Sequence, residues 1–270
     1  MFSYYLQDRS YYFATDDEVK THLEELNDII VASDGNDHFY RYEHFNDQRY
    51  NRWVTIGDYF QNGLSKYITQ RVLPLIQRRV KEISVPYISL HDMDVGLRKT
   101  ANAFMGPRFS TASIALITNK IGYYDFRKDS ILNNISGANF EKSCVILFRS
   151  VCLTVDGAKN VKSLGAETRR IFERLTELDR YLTIHWKGAF DEYDVSQKTS
   201  LTISDESDTT KQTPKYRDRR HFNIPGIGGV YCFLHIKTGN GMRYHIYPDE
   251  AKKIVYVPYI GPHLPTKKNP

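Results

Sequence analysis

The chain has 270 residues, enough for one large domain or two ordinary ones with a substantial core, so disulfide or metal staples are not required. With 41% hydrophobic and 26% charged residues, and no apolar run near the roughly 18 to 20 residues a bilayer span needs, it reads as a soluble folded chain with no membrane partner. The net charge of +5 favours anionic partners without identifying one, so the placement of the cations matters more than their total.

The 20 Tyr, 14 Phe and only 2 Trp supply flat rings with polar tips, which fill strands or, where exposed, stack on other flat groups. Strand filling is the favoured reading. The 3 Cys leave an odd number, and none has CxxC or Cys/His metal spacing, so a reducing cytoplasm is expected and no metal or other cofactor is assigned. The opening residues MFSYYLQDRSYYFATDDE lack a charged start followed by an apolar stretch, so no secretory leader is expected there.

In chain order, Phe2 to Ala14 reads as two short aromatic strands around a Gln7-Asp8-Arg9 turn. Thr15 and Glu18 have capping-box spacing, and Val19, Leu23, Leu26 and Ile30 recur on one helical face up to about Ala32. After the Asp34-Gly35-Asn36-Asp37 turn, the stretch HFYRYEHFNDQRYNRW offers either a nucleic-acid-facing surface or an edge strand plus loop; the latter is favoured. From Gly63 to Ser84, Leu64, Ile68, Val72, Leu75, Val80 and Ile83 predict an amphipathic helix kinked or split at Pro74, with Lys66, Arg71, Arg78, Arg79 and Lys81 on its solvated face.

Further on, Ser113 to Thr118, Ile121 to Phe126 and Cys144 to Thr154 read as strands. His91-Asp92-Met93-Asp94 resembles half of a metal-phosphohydrolase pair, but without partner ligands a turn is the better reading. Val161 to Leu182 carries an apolar stripe at Leu164, Ile171, Leu175, Leu178 and Leu182, with Arg169 and Glu173 paired on the exposed side. The segment SQKTSLTISDESDTTKQTPKYRDRR is Ser/Thr-rich and reads as a mobile loop. Its acids (Asp205, Glu206, Asp208) precede its bases (Lys211, Lys215, Arg217, Arg219, Arg220, His221). Gly226-Ile227-Gly228-Gly229 is a glycine turn opening a strand, not a dinucleotide fingerprint, because no helix follows.

The C-terminal stretch predicts three antiparallel strands, Val230 to Lys237, Met242 to Tyr247 and Lys252 to Ile260, joined by turns at Gly239-Asn240-Gly241 and Pro248-Asp249-Glu250-Ala251. They bring together Arg243, His245, Tyr259 and His263 with Lys237, His235, Lys252, Lys253, Lys267 and Lys268. The pattern Met242-Arg243-Tyr244-His245-Ile246-Tyr247 followed by Tyr259-Ile260-Gly261-Pro262-His263 resembles the RelE/YoeB-like ribonuclease toxins. In that family an Arg opens a strand with Arg-x-x-Tyr spacing and a His follows the last strand.

The resemblance covers the last 50 or so residues. It implies a RelE-like sheet with a preceding helix packed on it and metal-independent RNA cleavage. His263 would be acid or base, Arg243 would grip phosphate, Lys237 would add charge, and Tyr259 would stack a base or donate a proton. Arg217, Arg219, Arg220, Lys252 and Lys267 are the accompanying nucleic-acid contacts. The family's carboxylate base has no clear counterpart; Glu250 is the nearest candidate.

The expected fold class is therefore α+β: residues 1–155 form a mixed helix and strand region without an assigned role, and residues 156–270 a helix, a polar loop and a basic antiparallel sheet. The expected function is an RNA-directed ribonuclease or translation-blocking effector of toxin–antitoxin or phage-defence type. RNA or the ribosome would be its target and an inhibitory protein its partner. The alternatives are a noncatalytic nucleic-acid-binding subunit using the same sheet, and a protein-binding module anchored by tyrosines.

Overall fold

The computed structural model describes residues 2–12, 14–33, 35, 37–98, 101–108 and 116–267. Two compact units divide the chain, Met1–Ser130 and Ile131–Pro270. Both mix helices with sheets, and antiparallel pairing is confined to named sheets of the second. The mixed α and β class expected from the sequence therefore holds. Among the described residues no helix is long and apolar enough to cross a membrane.

The first unit is built on β1 (Ser3–Leu6), buried along its whole length because it pairs on both sides. The chain then makes a single tight helical turn at Asp8–Ser10 in place of the expected second strand. The first long helix, α1 (Asp16–Ala32), has the expected capping box: Glu18 N donates to Thr15 Oγ1 at 3.3 Å and Thr15 N to Glu18 Oε2 at 2.7 Å. It buries the predicted stripe together with His22 and Ile29.

Asp34 and Asn36 of the next turn lie outside the described residues. The aromatic stretch does form a strand, β2 (His38–Tyr42), but an interior one, flanked by β1 and by β3 (Val80–Ile83). Between them come α2 (Ile56–Asn62), a π-helical turn at Ile68–Val72 and α3 (Leu73–Arg79). Pro74 sits in the first turn of α3, where the π-helical turn passes into the α-helix. The predicted long helix thus ends at Arg79, and Val80 and Ile83 belong to a strand.

His91, Asp92 and Asp94 lie on α4 (Leu90–Leu97), where Asp92 accepts the Ser89 hydroxyl and Asp94 accepts from Asn102. They form a helix start rather than a turn, and their carboxylates serve caps and neighbours. With β4 (Asn102–Met105) and β5 (Leu116–Ile117) the sheet has the order β3-β2-β1-β4-β5, parallel throughout. Residues 113–115 of the predicted strand lie outside the described residues. The segment read as a strand from Ile121 belongs instead to α5 (Lys120–Leu132).

In the second unit the first half of the stretch read as a strand from Cys144 is helical, α6 (Phe140–Leu147), and only Val151–Leu153 extends, as β6. The predicted helix from Val161 is divided between α7 (Val155–Lys162) and α8 (Thr168–Ile184). Asp179 of α8 is 1% exposed and takes the backbone N–H groups of Arg149, Ser150 and Val151 at 2.7–2.9 Å, which fixes the entry to β6. The expected boundary after residue 155 falls inside this unit, since β6 pairs with the last strand.

The polar segment read as a mobile loop is folded throughout. It begins within α9 (Glu192–Lys198) and continues as β7 (Thr202–Ser204), α10 (Asp208–Gln212) and α11 (Pro214–Arg217). Next comes a hairpin of β8 (His221–Ile224) and β9 (Gly228–Tyr231), turned by Gly226 and Gly228 at φ values of 76° and 98° that only glycine adopts freely. The predicted strand from Val230 to Lys237 is thereby broken at Cys232-Phe233-Leu234, and its second half is β10 (His235–Lys237). The chain finishes with β11 (Met242–Asp249) and β12 (Ile254–Pro262).

The larger sheet runs β6-β12-β11-β10-β7, antiparallel except for β12 with β6. Its back face is one apolar row: Ile203, Ile236, Tyr244 and Ile260 stand opposite one another and are all buried. Helix α8 lies against this sheet, its Arg170 donating to the Thr238 carbonyl at 3.2 Å.

Candidate nucleic-acid interface on the C-terminal sheet

Side chains alternate between the faces of a strand, so residues directly opposite in neighbouring strands share a face. On the front of the sheet this gives two rows. One is Ser204, His235, His245 and Tyr259; the other is Thr202, Lys237, Arg243 and Gly261. One pair further along, His263 N donates to Gly241 O at 2.9 Å, which continues the β11–β12 ladder and leaves His263 on the same front face by alternation. Lys237, Arg243, Tyr259 and His263, read from the sequence as a set, are therefore gathered at one end of one face.

Two nitrogen atoms at this end of the face lack partners. Among the described residues, Arg243 Nε and His263 Nδ1 meet no hydrogen-bond partner although both atoms are buried. Arg243 Nη1 is held by the Met242 carbonyl at 2.8 Å, so the guanidinium is oriented before anything binds. Tyr259 behaves differently from the expectation of a proton donor. Its hydroxyl donates to the Pro262 carbonyl at 2.8 Å, and burial pushes its pKa up. A Cβ on Gly261 would lie 2.6 Å from that hydroxyl, so glycine is what lets the ring fold over the strand and brace its end before His263.

Beneath this end lies a buried charged cluster that the sequence reading did not assemble. Arg220 is completely buried and donates to Glu206 Oε1 at 2.6 Å, Tyr216 O at 2.9 Å, Pro265 O at 3.0 Å and Leu264 O at 3.3 Å. It is thus a clamp on the segment following His263 and is not available as a direct nucleic-acid contact. Glu206 Oε1 also lies 3.8 Å from His235 Nδ1.

Both buried histidines are held neutral. Burial lowers the pKa of His235, with Arg243 and Lys237 pushing the same way against the Phe233 carbonyl and Glu206. Burial also takes His245 down to about 3, helped by His235, Arg220 and His263. His245 Nδ1 is fixed by the Cys232 carbonyl at 2.9 Å.

Glu206, His235 and His245 bring potential ligand atoms within 4.8 Å of one another, a spacing a metal ion would accept. The surrounding charge argues otherwise. The one carboxylate is already neutralised by Arg220, and Arg243 and Lys237 both act on the His235 imidazole, so a divalent cation would meet two further positive charges with no free carboxylate to offset them. An anion is the complementary guest.

The remaining expected contacts are scattered. Arg217 binds Asp218 at 3.0 Å and Arg219 is exposed at the foot of the hairpin. Lys252 pairs with Asp249 at 3.3 Å in the β11–β12 turn, at the opposite end of the strand from Arg243. Asp249 lies six residue steps along β11 from Arg243, about 20 Å. Lys267 is exposed beyond the last strand, and Lys268 lies outside the described residues. Glu250 accepts from Phe190 N at 2.9 Å in that same distal turn, so it does not supply the missing carboxylate base.

At its Arg243 end the front face carries the exposed Lys237. Elsewhere the β8–β9 hairpin covers it: Ile224, Cys232 and Tyr256 are buried together, with Cys152, Phe222, Val230, Tyr247 and Ile254 packed around them. Phe222 stacks on Tyr259 at 6.0 Å and reaches His245 at the same distance, which makes it the wall between the two halves. No protein-family model, curated protein or solved structure matches the chain.

Proposed function

We propose that the open end of the sheet binds an RNA phosphodiester and cleaves it without metal, as a ribonuclease or translation-blocking effector of toxin–antitoxin or phage-defence type would. The observation that carries this reading is the convergence of Lys237, Arg243 and His263 on one face, with Arg243 Nε and His263 Nδ1 both lacking hydrogen-bond partners. The antiparallel β10–β11–β12 core with α8 behind it supports the RelE-like part of the proposal.

In this mechanism Arg243 and Lys237 hold the nonbridging phosphate oxygens and stabilise the charge that builds on the phosphorane. His263 takes the 2′-hydroxyl proton as the 2′ oxygen bonds to phosphorus. The bond to the 5′ oxygen breaks, and that oxygen takes a proton from the Lys237 ammonium. His235 and His245, neutral and buried, form the floor and keep the phosphate against the cations.

Incubation of purified protein with RNA in the presence of a chelator should yield 2′,3′-cyclic phosphate ends, and His263→Ala should abolish them. Equal cleavage by wild type and variant, or none by either, would remove the catalytic claim. A noncatalytic nucleic-acid-binding subunit is the second reading, favoured by the position of Glu250, the nearest candidate for the carboxylate base, in the distal turn and by the engagement of Glu206 with Arg220. It predicts salt-sensitive RNA binding that Arg243→Ala weakens and His263→Ala leaves intact.

A further inference from the structure

On the outer side of the β8–β9 hairpin the rings are not packed away. Tyr231 is 41% exposed, stacked on Phe233 with the planes 10° apart and centroids 5.6 Å apart, and His221 lies 4.9 Å from it. Arg217 sits 5.4 Å over Tyr231 and the Lys211 ammonium 5.5 Å over Phe233, each cation being also paired with a carboxylate, Asp218 and Asp205 respectively. The inner side of the same hairpin is anchored in the apolar cluster of Ile224, Phe222 and Val230, which makes the platform rigid.

This ring pair is joined to the phosphate-binding end through the irregular residues Cys232-Phe233-Leu234, and the Phe233 carbonyl takes His235 Nδ1 at 3.2 Å. From Tyr231 to Lys237 the chain spans at most about 20 Å. An exposed, oriented aromatic pair leading to the Lys237 and Arg243 clamp has the two components that single-stranded nucleic acids require, faces for bases and charge for the backbone.

We infer that Tyr231 and Phe233 form a nucleobase-stacking subsite, so that the substrate of the adjoining phosphate site is single-stranded RNA whose unpaired base neighbouring the bound phosphate rests on Tyr231. The inference rests on the phosphate-binding reading above and adds to it a strand preference. A duplex keeps its bases stacked on each other and offers the ring pair nothing.

The test measures anisotropy of a short fluorescein-labelled single-stranded RNA, and of the same sequence in a duplex, titrated with the full chain. Tyr231→Ala should weaken single-strand binding about tenfold, Tyr231→Trp should restore it, and duplex affinity should not change. Because Tyr231 is on the surface, circular dichroism of the variants should match wild type. If Tyr231→Ala leaves single-strand affinity intact while Arg243→Ala lowers it, the stacking subsite is wrong and the phosphate reading survives. If neither RNA binds even at low salt, the phosphate reading fails and takes this inference with it.

Discussion

The front of the C-terminal sheet has two ends built from the same strands, and they have opposite character. At the β11–β12 turn, Tyr247, Tyr256 and Ile254 lie under an apolar hairpin. At the other end an exposed Lys237 and half-buried Arg243 and His263 stand beside two neutral histidines. A register irregularity between His245 and Tyr247 separates the halves, and Phe222 marks the edge of the cover. The contrast teaches that the basic composition of this region is not in itself the signal. Lys252 at the covered end is neutralised by Asp249, whereas Arg243 keeps a nitrogen without a partner.

The largest effect should come from breaking the support beneath the open end. Glu206→Ala leaves the Arg220 guanidinium buried without its carboxylate, a loss of about 3 to 5 kcal/mol. Chemical denaturation should show it, and Arg217→Ala, whose pair is exposed, should leave the midpoint where it was. If the two variants unfold alike, Arg220 is not the clamp described. At the covered end Ile224→Ala removes a side chain 1% exposed and should cost about 2 to 4 kcal/mol.

Acid should act through the buried imidazoles. His245 in the folded chain titrates at about 3 and His22 of α1 at about 4, both held down by burial, against roughly 6.5 when unfolded. Above pH 6.5 both states are neutral and the groups contribute nothing. As pH falls below 6.5 the unfolded chain takes up protons that the folded chain refuses, so stability declines. Between pH 7 and 5 each histidine should account for a loss on the order of 2 kcal/mol, and His22→Leu should flatten that limb in urea titrations at the two pH values. A stability that rises on acidification would contradict the burial assigned to both groups.

The parts of the fold legible in sequence were those with local causes. The Thr15–Glu18 box marked α1, and glycine turns marked the hairpin and the start of β11. Short apolar stretches at Ile121 and Cys144 fit strand and helix equally and were decided by tertiary packing. The segment from Ser196 to Arg220 looked too polar to fold because its order depends on a pair fourteen residues apart, Glu206 with Arg220, that no local pattern announces.

The candidate site was partly visible for the same reason. Alternation put Arg243 with His245 and Lys237 with His235, but only the β10–β11–β12 register shows that these pairs lie opposite each other. Arg220 and Tyr259 were misassigned because burial and a hydroxyl's partner are tertiary facts.

Salt-dependent binding of a short single-stranded RNA to Arg243→Ala and to Lys252→Ala tests the account most directly, since the two cations sit on the same strand pair at opposite ends. Arg243→Ala should weaken binding and lower the slope of log affinity against log salt by about one, while Lys252→Ala should match wild type. Equal loss in both variants, or none in either, would contradict the claim that the open end of the sheet is where this protein meets its phosphate.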